Sequence, residues 1–181
     1  LERYILMTPN DRKNMDRYAI LVDSTANNYA EKTRAYLTLE KAIRQYVASD
    51  NTADARQVPD ELHFRAAKRA IELQRFKDAE EHLEKHLLKL TSEPLEKQLQ
   101  KMVPQQVPYW ESLAKVKFGL RDPDLAIKVC EGIIEKDRAN IDAFKEIARY
   151  YLERKEQGKL NQVLSKMVQY NPDSAEVRLI H

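Results

Sequence analysis

The side chains of this 181-residue chain best suited to chemistry are its 4 histidines and its 1 cysteine. His82 and His86 stand four apart on one predicted helix, a spacing that lets two imidazoles reach a single metal ion. Their setting, His82-Leu83-Glu84-Lys85-His86, lacks the H-E-x-x-H order of zinc proteases, and no other histidine or cysteine is near in sequence. They therefore read as surface and core histidines, with His86 on the packing side. Cys130 falls on an apolar helical position and reads as a buried structural thiol rather than a nucleophile. Asp122, Asp124, Glu80 and Glu81 occupy predicted first turns, where carboxylates favour a helix start or face water. No Ser/His/Asp set and no carboxylate pair with a supporting pocket can be assembled. The reading is of a non-enzyme with no catalytic residue, no metal and no cofactor.

Composition narrows the classes further. The chain is 43% hydrophobic and 33% charged, enough to bury roughly two-thirds of its unfolded surface as a globular unit. With only 3 glycines, Gly-rich phosphate loops, dinucleotide-binding fingerprints and turn-rich β-sandwiches are excluded. The 31 Lys+Arg against 29 Asp+Glu leave a net charge of +2, too balanced for a bulk electrostatic grip on nucleic acid or anionic lipid. No apolar run approaches the roughly 18 residues of a membrane span; near the start the longest is Ala19-Ile20-Leu21-Val22. One cysteine cannot close an internal disulfide, which points to a reducing, intracellular (cytoplasmic) setting. The opening Leu1-Glu2-Arg3 and the helix-like pattern running into His181 read as a slice of a longer protein, without a signal segment.

These residues must be positioned by helices. Thr8-Pro9 reads as a helix start. From Asn10 to Val58 there is neither Pro nor Gly, and Met15, Val22, Tyr29, Tyr36 and Ile43 recur every seven residues, with Tyr18, Leu39 and Tyr46 beside them. That period predicts one long helix, or two broken near Asp23–Asn28, packed on the rest of the protein or dimerising through residues 10–48. Residues 50–58 read as a polar linker, so an N-terminal helical segment, 1–58, precedes a second domain, 59–181. Within the latter, short amphipathic helices are expected at about 60–74, 76–90, 94–103, 107–119, 123–136, 140–155 and 158–170, with a start at 173. The short joints between them make antiparallel helical hairpins.

A shift of 34 residues superposes two of these hairpins: Trp110 on Phe144, Leu113 on Ile147, Ala114 on Ala148, Ala126 on Leu160, Cys130 on Leu164 and Ile133 on Met167. Trp110-Glu-Ser-Leu113-Ala114 with Ala126-Ile-Lys-Val-Cys130, and Phe144-Lys-Glu-Ile147-Ala148-Arg-Tyr150-Tyr151 with Asn171-Pro172, resemble the tetratricopeptide-repeat family. A third copy, Ala66-Ala67, Ala70 and Phe76-Lys-Asp-Ala79-Glu-Glu-His-Leu83, stands 47 residues upstream of the next. Leu95, Leu99 and Met102 mark an added helix at about 94–103. The repeats then run about 60–93, 107–140 and 141–174, with departures at Lys117, Leu160 and Arg138. The small residues Ala67, Ala114 and Ala148 would let paired helices approach closely. The resemblance implies a right-handed α–α superhelix of stacked hairpins over residues 60–181.

The resemblance also implies a role as a scaffold or adaptor that holds another protein on its concave face. Lys68, Lys115 and Arg149, with Lys145 a turn away, form a basic line on the first helix of each hairpin; Ile71, Phe118 and Leu152 form an apolar line three residues on. Together they suit an acidic, amphipathic partner segment. A carboxylate clamp of the chaperone-binding type does not fit, because Phe64, Lys68, Ser112, Asp142 and Glu146 stand where that mode needs Lys, Asn, Asn and further basic residues. Two other readings use different chemistry. One is a self-association or regulatory output module of a larger protein. The other is an RNA-processing helical repeat, which Phe144 to Gly158 with Tyr151-Leu-Glu153 faintly resembles; the near-neutral charge and lack of an aromatic platform argue against it.

Overall fold

The computed structural model describes residues 11–48 and 58–178, and every regular element among them is helical. The all-α expectation holds. The helix start at Thr8-Pro9, most of the linker 50–58, and Leu179-Ile180 lie outside the described residues. No helix among the described residues is long and apolar enough to cross a membrane. The chain divides into two compact units, Leu1–Lys89 and Leu90–His181. Residues 60–87 therefore group with the N-terminal helices, although the sequence places the boundary at 58.

In the first unit the Pro-free stretch forms two helices, α1 (Arg12–Thr25) and α2 (Tyr29–Ala48). The Asp11 carboxylate caps α1 by accepting from Asn14 N at 3.2 Å, and Ser24 and Thr25 hydroxyls donate back to the carbonyls of Ile20 and Leu21 where it ends. Asn28 restarts the helix by accepting from Glu31 N at 2.9 Å, while Glu31 accepts from Asn27 N at 2.8 Å. The break shifts the register. Met15, Tyr36 and Ile43 of the seven-residue line are buried, whereas Tyr29, the first residue of the new helix, is 73% exposed. Next come α3 (Asp60–Glu72) and α4 (Phe76–Glu81), which runs on directly as a π-helical turn, His82–Leu87.

Apolar packing and ion pairs tie α3 to the N-terminal pair. Leu62 and Ala66 join Met15, Ala19, Leu39, Ala42 and Ile43 in one apolar cluster. Asp23, 6% exposed in the last turn of α1, accepts from Arg65 Nη1 at 3.0 Å and from Arg69 Nε at 2.9 Å. A carboxylate at a helix C-terminus opposes the helix dipole, and the two guanidiniums offset that repulsion.

The second unit contains α5 (Leu95–Gln100), a 3-10 turn (Pro104–Gln106), α6 (Val107–Gly119), α7 (Pro123–Lys136), α8 (Ile141–Glu153), α9 (Gln157–Tyr170) and the single turn α10 (Ala175–Arg178). Asp122 caps α7 through Leu125 N, and Asn140 caps α8 through Ala143 N. The added helix α5 docks on α7 at Gly132: a Cβ there would come within 2.7 Å of the Leu99 side chain. A larger residue there would force the Leu99 side chain to move. Lys128 and Lys136 of α7 complete the contact on Glu96 and the Gln100 carbonyl. Phe144, Met167 and Val177 form a cluster at the other end of the unit.

The first helix of each hairpin ends in the same way. Gln74, Arg121 and Lys155 adopt φ of 58°, 64° and 58°. The next amide then reaches back over the turn: Arg75 N to Ala70 O, Asp122 N to Lys117 O, and Glu156 N to Tyr151 O, at 2.8 to 2.9 Å. This is the Schellman arrangement, which satisfies otherwise orphaned carbonyls. Its copies stand 47 and 34 residues apart.

Ala67 and Ala114 are fully buried, as the close-approach expectation requires, but Ala148 is only partly buried. Ala114 is covered by both α7 and α8, whereas Ala148 keeps part of its surface in water. Ala114→Glu should therefore cost roughly 3 kcal/mol or more, and Ala148→Glu under about 1 kcal/mol, measured by urea unfolding. Lys155→Gly relieves a left-handed side-chain residue and should add about 1 kcal/mol in the same assay; Lys155→Ala should add nothing.

Candidate functional site

The seven residues of the expected groove divide between the units. Lys68 and Ile71 lie on α3 of the first; Lys68 is exposed with its ammonium 5.5 Å from the Phe64 ring centroid, and Ile71 is half-buried. Lys115, Phe118, Lys145, Arg149 and Leu152 lie on α6 and α8 of the second.

There the structure brings Lys115 and Arg149 together on one carboxylate. Glu146, with its side chain 16% exposed, pairs with Lys115 Nζ at 3.8 Å and with the Arg149 guanidinium. Lys145 lies 3.9 Å from Asp142, one turn back. Beside these charges the Phe118 and Tyr150 rings stand 5.4 Å apart, and Tyr151 extends the contact. Leu152 is 61% exposed. The basic line thus already holds an acid, a pairing that the alternation of charges along α8 hid because Lys115 arrives from another helix.

A cleft of about 660 Å³ opens elsewhere on this unit, between α7 and α9. Its floor is Phe144, Ile147 and Tyr151 of α8; Glu131 and Glu135 line one wall, and Lys159 and Lys166 the other. The volume suits a peptide side chain or small ligand, and the walls carry opposite charge.

Cys130 sits at the α6–α7 interface, 1% exposed. Burial, reinforced by Glu146, Glu111 and Glu131, pushes its thiol up to about 12. The thiolate that attacks electrophiles is then scarce at any ordinary pH. Native protein should leave Cys130 unlabelled by iodoacetamide at about pH 8, with full labelling only in denaturant; the rate by mass spectrometry checks this.

The histidines behave differently from their sequence reading. His63, from α3, joins His82 and His86. The Nδ1 atoms of His63 and His82 are 3.0 Å apart, and His82 Nε2 lies 2.7 Å from Glu40 Oε1 on α2. His86 is an exposed residue of the π turn, not a packing-side one, and its ring stacks on His63 at 4.1 Å and 6°. His63 is 4% exposed and His82 7%. The tie among α2, α3 and α4 is completed by Tyr36, whose hydroxyl donates to Asp78 and whose ring lies under the Arg75 guanidinium. Among the described residues, no group of three His, Cys, Asp or Glu side chains is arranged to hold a metal ion. His63 was hidden from sequence reasoning because it lies 19 residues before His82, on a different helix.

A scan against protein-family models finds no match to this chain, and a search of curated proteins likewise finds none.

Proposed function

We propose that the chain is a protein-interaction module, a tetratricopeptide-like scaffold whose hairpins hold an acidic, amphipathic segment of another protein inside the cell. Support for the repeat reading comes from the three left-handed turns at offsets of 47 and 34 residues and from the buried Ala67 and Ala114. Support for the partner's chemistry comes above all from Glu146. The chain's own carboxylate occupies the place between Lys115 and Arg149 that an acidic partner side chain would take. A partner carboxylate exchanges with it at small net cost, because the guanidinium and ammonium remain paired throughout. Leu152, open to solvent, and the half-buried Phe118 offer the apolar contact beside that charge. No reacting constellation is required of such a site.

Short acidic amphipathic peptides, with basic counterparts of the same apolar pattern as controls, test this by fluorescence anisotropy. Acidic peptides should bind and weaken as salt rises. Lys115→Glu with Arg149→Glu should weaken them by about tenfold or more, and Glu146→Gln should tighten them by removing the internal competitor. Equal affinity for acidic and basic peptides would sink the reading, as would indifference to the double reversal. The exposed Leu21, Tyr29 and Leu37 of α1 and α2 would then be the next surface to examine.

A further inference from the structure

Three of the chain's 4 histidines meet in the first unit, and the surface proposed for partner binding uses none of them. The protons in the cluster can be counted. The hydrogen bond to His82 holds the Glu40 carboxyl below its usual range, so Glu40 is an anion that only accepts. His82 Nε2 must then carry the proton it shares with Glu40 across 2.7 Å. The two Nδ1 atoms, 3.0 Å apart, have room for one proton between them and not for two. Whichever ring owns it, the pair holds a single shared proton, sealed from water on His63 and His82. His86 closes the stack over His63.

Counter-charge for any further proton is scarce. From α2 comes Glu40, itself 3.7 Å from Arg44, together with the phenol of Tyr36. From the α3–α4 joint comes Arg75, bound to Asp78 at 2.6 Å. From α4 come Glu81 and the π turn's Lys85, paired with each other at 3.0 Å. From α1 comes Asp23, held by Arg65 and Arg69. Glu40 is thus the carboxylate bonded to the imidazoles among the described residues, one anion against three titratable rings.

We infer that the Glu40–His82–His63–His86 cluster is an acid-operated latch, which holds the π turn His82–Leu87 against α2 and α3 near neutral pH and releases it when a further proton enters. A further proton adds a positive charge between these buried rings that no second carboxylate is placed to pair, and the turn is the weak point where the charge escapes to water. A π turn holds its backbone by wider hydrogen bonds, here Leu88 N to Leu83 O, and marks strained or functional places in helices. Release uncovers Leu83 and Leu87, now 0% and 6% exposed, as an apolar face presented only in acid. Burial first, then the neighbouring imidazoles, push His63 down to about 3, and burial followed by His82 lowers His86. The folded value lies below the ordinary 6.5 of an open histidine. Closure is therefore fully favoured above about pH 6.5 and weakens steadily as pH falls toward about 3.

Hydrogen exchange on the full chain tests the latch, with rates corrected for the intrinsic pH dependence. Between about pH 7.5 and 5.0, protection of the Ala79–Leu87 amides should fall about 30-fold, one proton's worth, while amides of Val107–Gly119 keep theirs. His63→Phe keeps a flat ring under His86 and should flatten the fall to under about threefold. His86→Gln, at an exposed position, should retain most of it. A wild-type fall below about threefold overturns the proposal, and so does a His63→Phe variant with the wild-type slope. Should that variant fail to fold, the His63 Cε1–H resonance decides. It is expected to stay neutral while the π turn remains protected. Titration near pH 6.5 in a protected turn overturns the latch.

Discussion

A chain with 3 glycines still has to reverse direction after each first helix, and the left-handed residue that makes the reversal is the constraint on which its hairpins depend. Gln74, Arg121 and Lys155 accept that conformation with full side chains. Each turn returns an amide to a carbonyl five residues back, so the first helix is closed off and the second begins within two residues. Asp122 illustrates the economy of the arrangement. Its amide completes the turn while its carboxylate caps α7. The local strain is tolerated because the helices on either side are pressed together through alanines with no exposed surface, Ala66, Ala67, Ala70 and Ala79 in one hairpin and Ala114 and Ala126 in another.

The two units are secured by different chemistry. The second has a largely apolar interior, in which Ser112 and Lys117 are the buried polar side chains among the described residues and the cysteine is kept protonated by burial. The first places charge and imidazoles between its helices: Asp23 with two arginines on one side of α3, and Glu40 with His82 and His63 on the other. Paired buried charges add little stability over an apolar core, but they tolerate few alternative registers, because a slipped helix leaves each of them uncompensated. Specific seating of α3 follows from that intolerance.

Legibility in the sequence tracks how local each cause is. The limits of α6 and α7 are legible residue for residue, because Val107-Pro108 and Asp122-Pro123 act within one turn, although the reversal after α6 is made by Arg121 and not by Gly119. The break between α1 and α2 is visible in the Asp23–Asn28 patch, yet its effect on register is not, so Tyr29, which the seven-residue line places inward, stands in water. Grouping of residues 60–87 with the N-terminal pair depends on Asp23 meeting Arg65 and Arg69, 42 and 46 residues away. No periodicity records such a meeting. The histidine cluster was illegible for the same reason. In the candidate groove, the residue types on α6 and α8 were readable, but the bridge that Glu146 makes between them was a matter of three-dimensional packing.

The π turn carries one residue more than an α-helix of equal rise would hold. Deleting a single residue between Leu83 and Lys85 would let Leu88 N close an ordinary four-residue bond on Leu83 O and leave the chain beyond in phase, yet within the turn it would set His86 back by one position, about 100° around the axis, and swing its imidazole off the ring beneath it. A sequence able to shed that residue would therefore trade the stack for a straighter helix. Its length in this segment is a measure of whether the stack is being kept, and among related chains an indel confined to these positions would separate those that retain three facing imidazoles from those that have let them go.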